Sequence, residues 1–311
     1  MRRIDALLVL MVLIWGVNYS VIKHAFREIP PQPFNAMRVT LASLVFLTAI
    51  RVAQQRGRRA MGAISSAFYT PTQVSARDVW DLVWLGLIGH LGYQYCFVGG
   101  VAQTSVSNAA LIIGATPVAV AVISALLGRE RIAPWHWLGA AVSITGIYFV
   151  VGRSAEFGGQ TWRGDMLVMA SVACWATYTL GAGRLIARHS PLFVTGATMA
   201  IGGVPYVLAT LPQFFTVNWS GVSTWTWVSL VLSALLALNV AYLIWYMGVQ
   251  KIGAARTSMF SNLVPITAMS VAALWLGEPL SRTKILGAAA VLTGVLLTRL
   301  GRKQSAVPIE E

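Results

Sequence analysis

Trp15, Asn18 and Tyr19 stand at i, i+3 and i+4, a spacing that puts all three on one face of a helix. Trp175, Tyr178 and Thr179 repeat the device 160 residues later. His90, Tyr93, Gln94 and Phe97 share another face, and Asn239, Tyr242, Trp245 and Tyr246 a further one. Rings with polar tips at such spacing suit the wall of a cavity for a small amphipathic or aromatic molecule. The chemistry on offer is therefore binding rather than bond breaking. Packing or an interfacial belt is the ordinary use of Trp and Tyr. Trp15, Tyr93 and Trp175 fall well inside apolar runs, which argues against the belt for these three.

Two ionisable residues join these faces. His90 is the histidine deep in an apolar run, where an ionisable group is a functional candidate. A neutral imidazole hydrogen-bonded between helices is its alternative use. Arg38 can clamp a substrate carboxylate through a bidentate contact, or snorkel from near the start of its helix to the surface. Lys23 ends the first apolar run and is expected at the interface.

Pro117 and Pro265 sit at equivalent interior positions of two runs. An interior proline removes a backbone hydrogen bond and clashes with the preceding turn, so both helices are expected to kink, as gating hinges or as fixed bends. Ser107, Asn108, Ser261 and Asn262 lie nearby, for polar contacts or hydrogen bonds between helices. The ten acidic residues fall at the ends of runs, in loops or in the tail, so no buried carboxylate is expected for a proton relay. A proton-carrying role then falls to His90 or is absent. No metal site and no cofactor are expected.

The elements that position these groups are membrane helices. The sequence is 57% hydrophobic and 11% charged, against roughly 25% charged residues in soluble domains, and its mean hydropathy is +0.69. Apolar runs cover about 4–22, 34–50, 79–101, 106–126, 134–151, 166–186, 192–211, 225–248, 256–276 and 284–300, each near the length that spans a bilayer. The first has the basic start of a signal peptide without a small-residue cleavage site, and reads as a retained helix. The net charge of +13 is spread between apolar runs rather than along one polar face, so nucleic acid is not the partner. Cys96 and Cys174 lie inside apolar runs and read as buried thiols.

Residues 102–151 align without a gap on 250–299, an offset of 148: Pro117 falls on Pro265, Glu130 on Glu278, and LGAAVSITG on LGAAAVLTG. The chain is thus two related halves, 1–153 with a basic loop at 51–78, and 164–300, followed by a tail at 301–311. Sixteen Lys and Arg fall on the side of the N-terminus, five of them in or beside the 51–78 loop, against six on the other side. Cytoplasmic enrichment of these residues places both termini inside. An odd number of helices per half makes the halves inverted, a common plan for transporters that alternate access around a midplane site. The fold expected is an all-α integral membrane protein of ten transmembrane helices in two inverted five-helix repeats. Small residues in the repeated Leu-Gly-Ala-Ala read as close helix packing.

LGEPLSRTKILGAAAVLTGVLL, the SNAALI–TPV stretch of the fourth run and WGVNYSVIK in the first resemble the drug/metabolite transporter superfamily, EamA type. The resemblance covers nearly the whole chain; the first half departs from it with GRERIAPWHW after the fourth run. It implies a ten-helix exporter of small metabolites, often amino acids, in the bacterial cytoplasmic membrane, and a structural or gating role for Arg38. Its partners would be a small molecule and the lipid bilayer. The alternatives are efflux of a drug or toxin by the same fold, and a membrane sensor or assembly partner without transport. An intramembrane enzyme would need a nucleophile and base, or metal ligands, converging at depth, and His90 has no buried acid or second histidine to work with.

Overall fold

The computed structural model describes residues 3–59, 66–126, 134–152 and 161–300. The turn that carries Glu130, part of the 51–78 loop and the tail at 301–311 lie outside the described residues. Regular structure among the described residues is helical throughout. The helices are α1 (Arg3–Ala25), α2 (Pro31–Arg59), α3 (Ala76–Gln103), α4 (Val106–Gly114), α5 (Thr116–Leu126), α6 (Pro134–Gly152), α7 (Thr161–Ile186), α8 (Pro191–Phe214), α9 (224–261), α10 (Val264–Trp275) and α11 (Arg282–Leu300). Among the described residues, six helical stretches are long and apolar enough to cross a membrane: all of α1, α7 and α8, the Pro31–Gly57 part of α2, α3, and Thr224–Ile252 of α9.

Capping fixes where several helices start. Ser75 Oγ accepts from the Asp78 backbone N–H at 3.2 Å while Asp78 Oδ2 accepts from the Ser75 N–H at 3.0 Å, a reciprocal capping box ahead of α3. Arg188 donates to Asp78 Oδ1 at 2.6 Å, which ties that cap to the corner between α7 and α8. Ser190 and Ser223 cap α8 and α9 in the simpler way, each accepting from the N–H three residues on.

Two features of the helices differ from the expectation. The prolines do not kink continuous helices; they begin new ones. The fourth run breaks at Ala115, so that Pro117 falls in the first turn of α5, and the chain turns at 262–263 before α10, with Pro265 in its first turn. There a missing N–H costs no hydrogen bond. The two breaks touch: a Cβ built on Gly114 would lie 2.7 Å from Pro265 Cγ. Conversely, α9 runs unbroken through 249–255, where a loop was expected, because that stretch holds no proline and glycine alone only weakens a helix.

Both α3 and α9 contain a π-helical turn, Leu87–Gly92 and Ser233–Val240. Shifted by 148, the first maps to 235–240, inside the second. Such turns leave backbone groups outside the regular ladder and mark functional stretches of helices.

The packing brings α1 against α9 and α10, and α7 against α3, α4 and α5. α2 lies along α8, and α6 along α11. The last pair meets through its repeated small residues. A Cβ on Gly146 would lie 2.9 Å from Gly287 O, and one on Gly294 2.4 Å from Gly139 O. Gly139 and Gly287 are 148 apart, as are Gly146 and Gly294, so the contact is reciprocal.

Candidate functional site

A cavity of about 300 Å³ lies between α1, α2, α3, α4, α5, α7, α9 and α10, walled mainly by apolar and aromatic surface from both halves of the chain. Trp15 stands at its centre. Its indole N–H donates to Ala237 O at 3.1 Å, a carbonyl within the π-helical turn of α9. Its ring meets Trp175 edge to face at 6.2 Å, Tyr242 at 5.9 Å and Trp245 at 5.7 Å. Trp175 in turn packs on Tyr93 at 5.0 Å and on Tyr242 at 5.3 Å. Rings at these separations hold one another by edge and offset contacts.

Of the residues singled out in the sequence, the structure brings Trp15, Asn18 and Tyr19 to this cavity, with Arg38, Tyr93 and Gln94. Trp175 and Tyr242 complete that set from the second half, and Pro117 and Pro265 line it at the two helix breaks. Asn18 Oδ1 accepts a short hydrogen bond from Ser233 Oγ, and Gln94 Nε2 donates to Tyr242 Oη at 3.4 Å.

His90, Tyr178, Asn239 and Tyr246 do not line it. His90 is wholly buried behind the wall, with Nε2 3.3 Å from Tyr178 Oη and 3.2 Å from Thr198 Oγ1. Tyr178 is turned the same way, its hydroxyl 3.0 Å from Thr198 Oγ1. Asn239 donates to the α2 carbonyl of Ala42 at 2.9 Å. The reason is angular: residues three and four apart share a face, but a face some 100° wide is divided between the cavity and the neighbouring helix. Only the neighbours decide which share is which.

Arg38 does not snorkel. It lies two turns into α2, is 1% exposed, donates from Nη1 to Asn35 Oδ1 at 3.0 Å and has Phe34 5.9 Å from its Cζ. Phe97, Thr179 and Trp245, each placed on one of these faces by the sequence, line the cavity too, as does Thr116, which the sequence did not mark.

The expectation of no buried carboxylate is corrected. Asp165 and Asp78 stand near the starts of α7 and α3, yet are 0% and 2% exposed. A helix end is not a surface when another helix covers it. Asp165 Oδ1 accepts from Thr104 Oγ1 at 2.6 Å, across the gap between α3 and α4.

That gap is held from two further directions, which the sequence did not reveal. Lys23 Nζ donates to the carbonyls of Val101, Ala102 and Thr104, each at 2.8 Å, so it caps the C-terminus of α3 instead of reaching outward. Glu278 takes the Val106 N–H at 2.7 Å, the Ser107 N–H at 3.1 Å and the Ser107 hydroxyl at 2.8 Å. A carboxylate on a helix N-terminus meets both unpaired N–H groups and the positive end of the dipole. Gly277, at φ +68°, reverses the chain after α10 and aims Glu278 across to α4.

Comparison with known proteins agrees with this architecture. The profile of the EamA-like transporter family matches residues 2–152 and 162–300. The chain is 27% identical to "Uncharacterized transporter YyaM" of Bacillus subtilis (strain 168), over 90% of this chain and 88% of that protein. It is 25% identical to "Probable terminal-alkyne amino-acid exporter" of Streptantibioticus cattleyicolor, over 96% and 95% of the two chains. A crystal structure of 17% sequence identity superposes with a TM-score of 0.64, over 97% of this chain and 99% of that one, and so shares the fold.

Proposed function

The chain belongs to the EamA-like transporter family, and we propose that it exports small metabolites, amino acids first among them, across the bacterial cytoplasmic membrane. It is a multi-pass membrane transporter and not an enzyme. In this reading the ten apolar runs span as two inverted five-helix repeats, 1–153 and 164–300, with both termini and the tail at 301–311 in the cytoplasm. The cargo binds in the aromatic cavity, and access alternates as the halves rock.

One observation carries the reading: the cavity is built jointly by equivalent residues of the two halves. Trp15 and Trp175, 160 apart, touch at 6.2 Å, and Gln94 and Tyr242, 148 apart, are hydrogen-bonded. A site on the seam between two repeats is exposed to one side or the other by a small relative rotation. The abutting breaks at Gly114 and Pro265 are where the proposed motion would be absorbed, with Pro117 and Pro265 as hinges. About 300 Å³ suits a molecule of amino-acid size. The amino-acid exporter among the relatives supports that substrate class.

The test is export from cells loaded with dipeptides, comparing intracellular and medium amino acids with and without the protein. Faster appearance of a few amino acids in the medium supports the reading. If all leave at the control rate, efflux of a drug or toxin, which the apolar walls also suit, takes first place.

A further inference from the structure

The cavity is one-sided in its hydrogen bonding. Among its lining residues two buried side-chain atoms are without a partner, Arg38 Nε and Trp245 Nε1. Both can only donate. Arg38 carries a charge that proteins do not remove, and its one hydrogen bond goes to a neutral amide. The ion pairs among the described residues use Asp78 and Glu278, and neither lines the cavity. A buried guanidinium without a carboxylate is costly unless something that arrives with the ligand completes it. The rest of the wall is mainly apolar or aromatic, its other polar side chains such as Asn18, Gln94 and Thr179 are neutral, and no Asp or Glu stands among its described lining residues to meet a cation.

We propose that Arg38 is the receptor for a carboxylate on the cargo, with the Trp245 indole N–H as a further donor, and that the cargo class is small carboxylates with an apolar or aromatic body. This rests on the export reading of the same cavity and narrows it. A planar guanidinium matches a carboxylate in two parallel bonds. An α-ammonium, if the cargo has one, would find no carboxylate among the described lining residues, only neutral oxygens such as those of Asn18 and Gln94 and ring faces such as Trp15 and Trp175, which attract cations without a formal charge. Amino acids and simple carboxylic acids both satisfy the carboxylate, and amines of the same shape do not.

The purified full-length protein in detergent provides the test, through the rise in thermal midpoint on ligand binding. The probes are L-phenylalanine, 3-phenylpropionate, which lacks the ammonium, and L-phenylalaninol, which lacks the carboxylate. Stabilisation by either acid and none by phenylalaninol is the expected result. Stabilisation by phenylalanine alone assigns the cargo to amino acids; stabilisation by both acids assigns it to carboxylates at large. Arg38→Gln should weaken binding of the acids roughly 10- to 100-fold, as for loss of one charged hydrogen-bonded contact, with partial rescue in Arg38→Lys. Equal stabilisation by phenylalaninol, no stabilisation by either acid, or an Arg38→Gln protein that binds the acids as the parent does would overturn the proposal. The comparison of the three probes on the parent protein stands even if Arg38→Gln fails to fold. Efflux of the same acids from loaded vesicles separates the two readings: acids that bind but leave at the protein-free rate sink the export reading and leave the recognition by Arg38 standing.

Discussion

The side-chain amide of Gln94 donates to the Tyr242 hydroxyl at 3.4 Å, and the two residues stand 148 positions apart, the interval at which 102–151 recurs as 250–299. Ser143 Oγ likewise donates to Val291 O at 3.2 Å, again across 148 residues. Both contacts join the two segments that the family profile matches, 2–152 and 162–300. The cavity and the α6–α11 pair are thus both built where those two segments meet.

Trp15 and Trp175 are the joint wall of the cavity. Replacing either by Ala removes an edge-to-face partner worth about 1 kcal/mol beyond its area, so export should fall roughly 5- to 10-fold or more. The protein should still reach the membrane, which a quantitative blot of the membrane fraction checks. Variants as active as the parent would falsify the assignment of this cavity to the cargo.

His90 lies behind the wall, so its role should be to hold Tyr178 and Thr198 in place rather than to touch cargo. His90→Ala is expected to cost about 1–3 kcal/mol of stability, the penalty for disturbing buried polar partners, seen as a lower thermal midpoint. His90→Gln, which keeps a donor and an acceptor, should retain both export and its pH profile. A pH profile abolished in His90→Gln would instead make this histidine a proton carrier.

Glu278 reaches α4 only because Gly277 adopts φ +68°. Glu278→Gln should cost about 1 kcal/mol, the value of a charged N-terminal cap. Gly277→Ala should cost about as much, because a Cβ is strained at that φ. The two losses should add only in part: the strain at Gly277 remains without the carboxylate, but the share that came from mis-aiming Glu278 does not. Thermal midpoints of the two single variants and the double variant give the coupling directly, and full additivity would separate the turn from the cap.

Glu28, in the turn between α1 and α2, accepts from the Ser223 N–H at 2.8 Å and from its hydroxyl at 2.9 Å. These bonds, the backbone N–H first, hold its carboxyl below the ordinary glutamate value. A depressed folded value means the contribution is present at neutral pH and is lost as pH falls through that lowered value. Glu28→Gln should therefore unfold below the parent at pH 7, and the gap should close in acid. A gap that widens toward low pH would reverse the assignment.

Some of this was legible in the residues alone. The all-helical membrane class follows from long apolar runs, because lipid offers no partner for an open backbone. The two halves were read from a gapless match of 102–151 on 250–299, at an offset of 148, and most of the cavity wall from rings at i, i+3 and i+4. The breaks at Ala115 and 262–263 were not legible, since whether a proline bends a helix or starts one depends on what packs beside it, here Gly114 on Pro265. Burial of Asp165 and the three carbonyls on Lys23 were hidden likewise, because both depend on a second helix end far away in sequence. Sequence spacing alone assigns a residue to a face. Only tertiary packing, by setting which neighbour each face meets, turned Trp15 toward the cavity, His90 away from it, and left Arg38 buried without an acid.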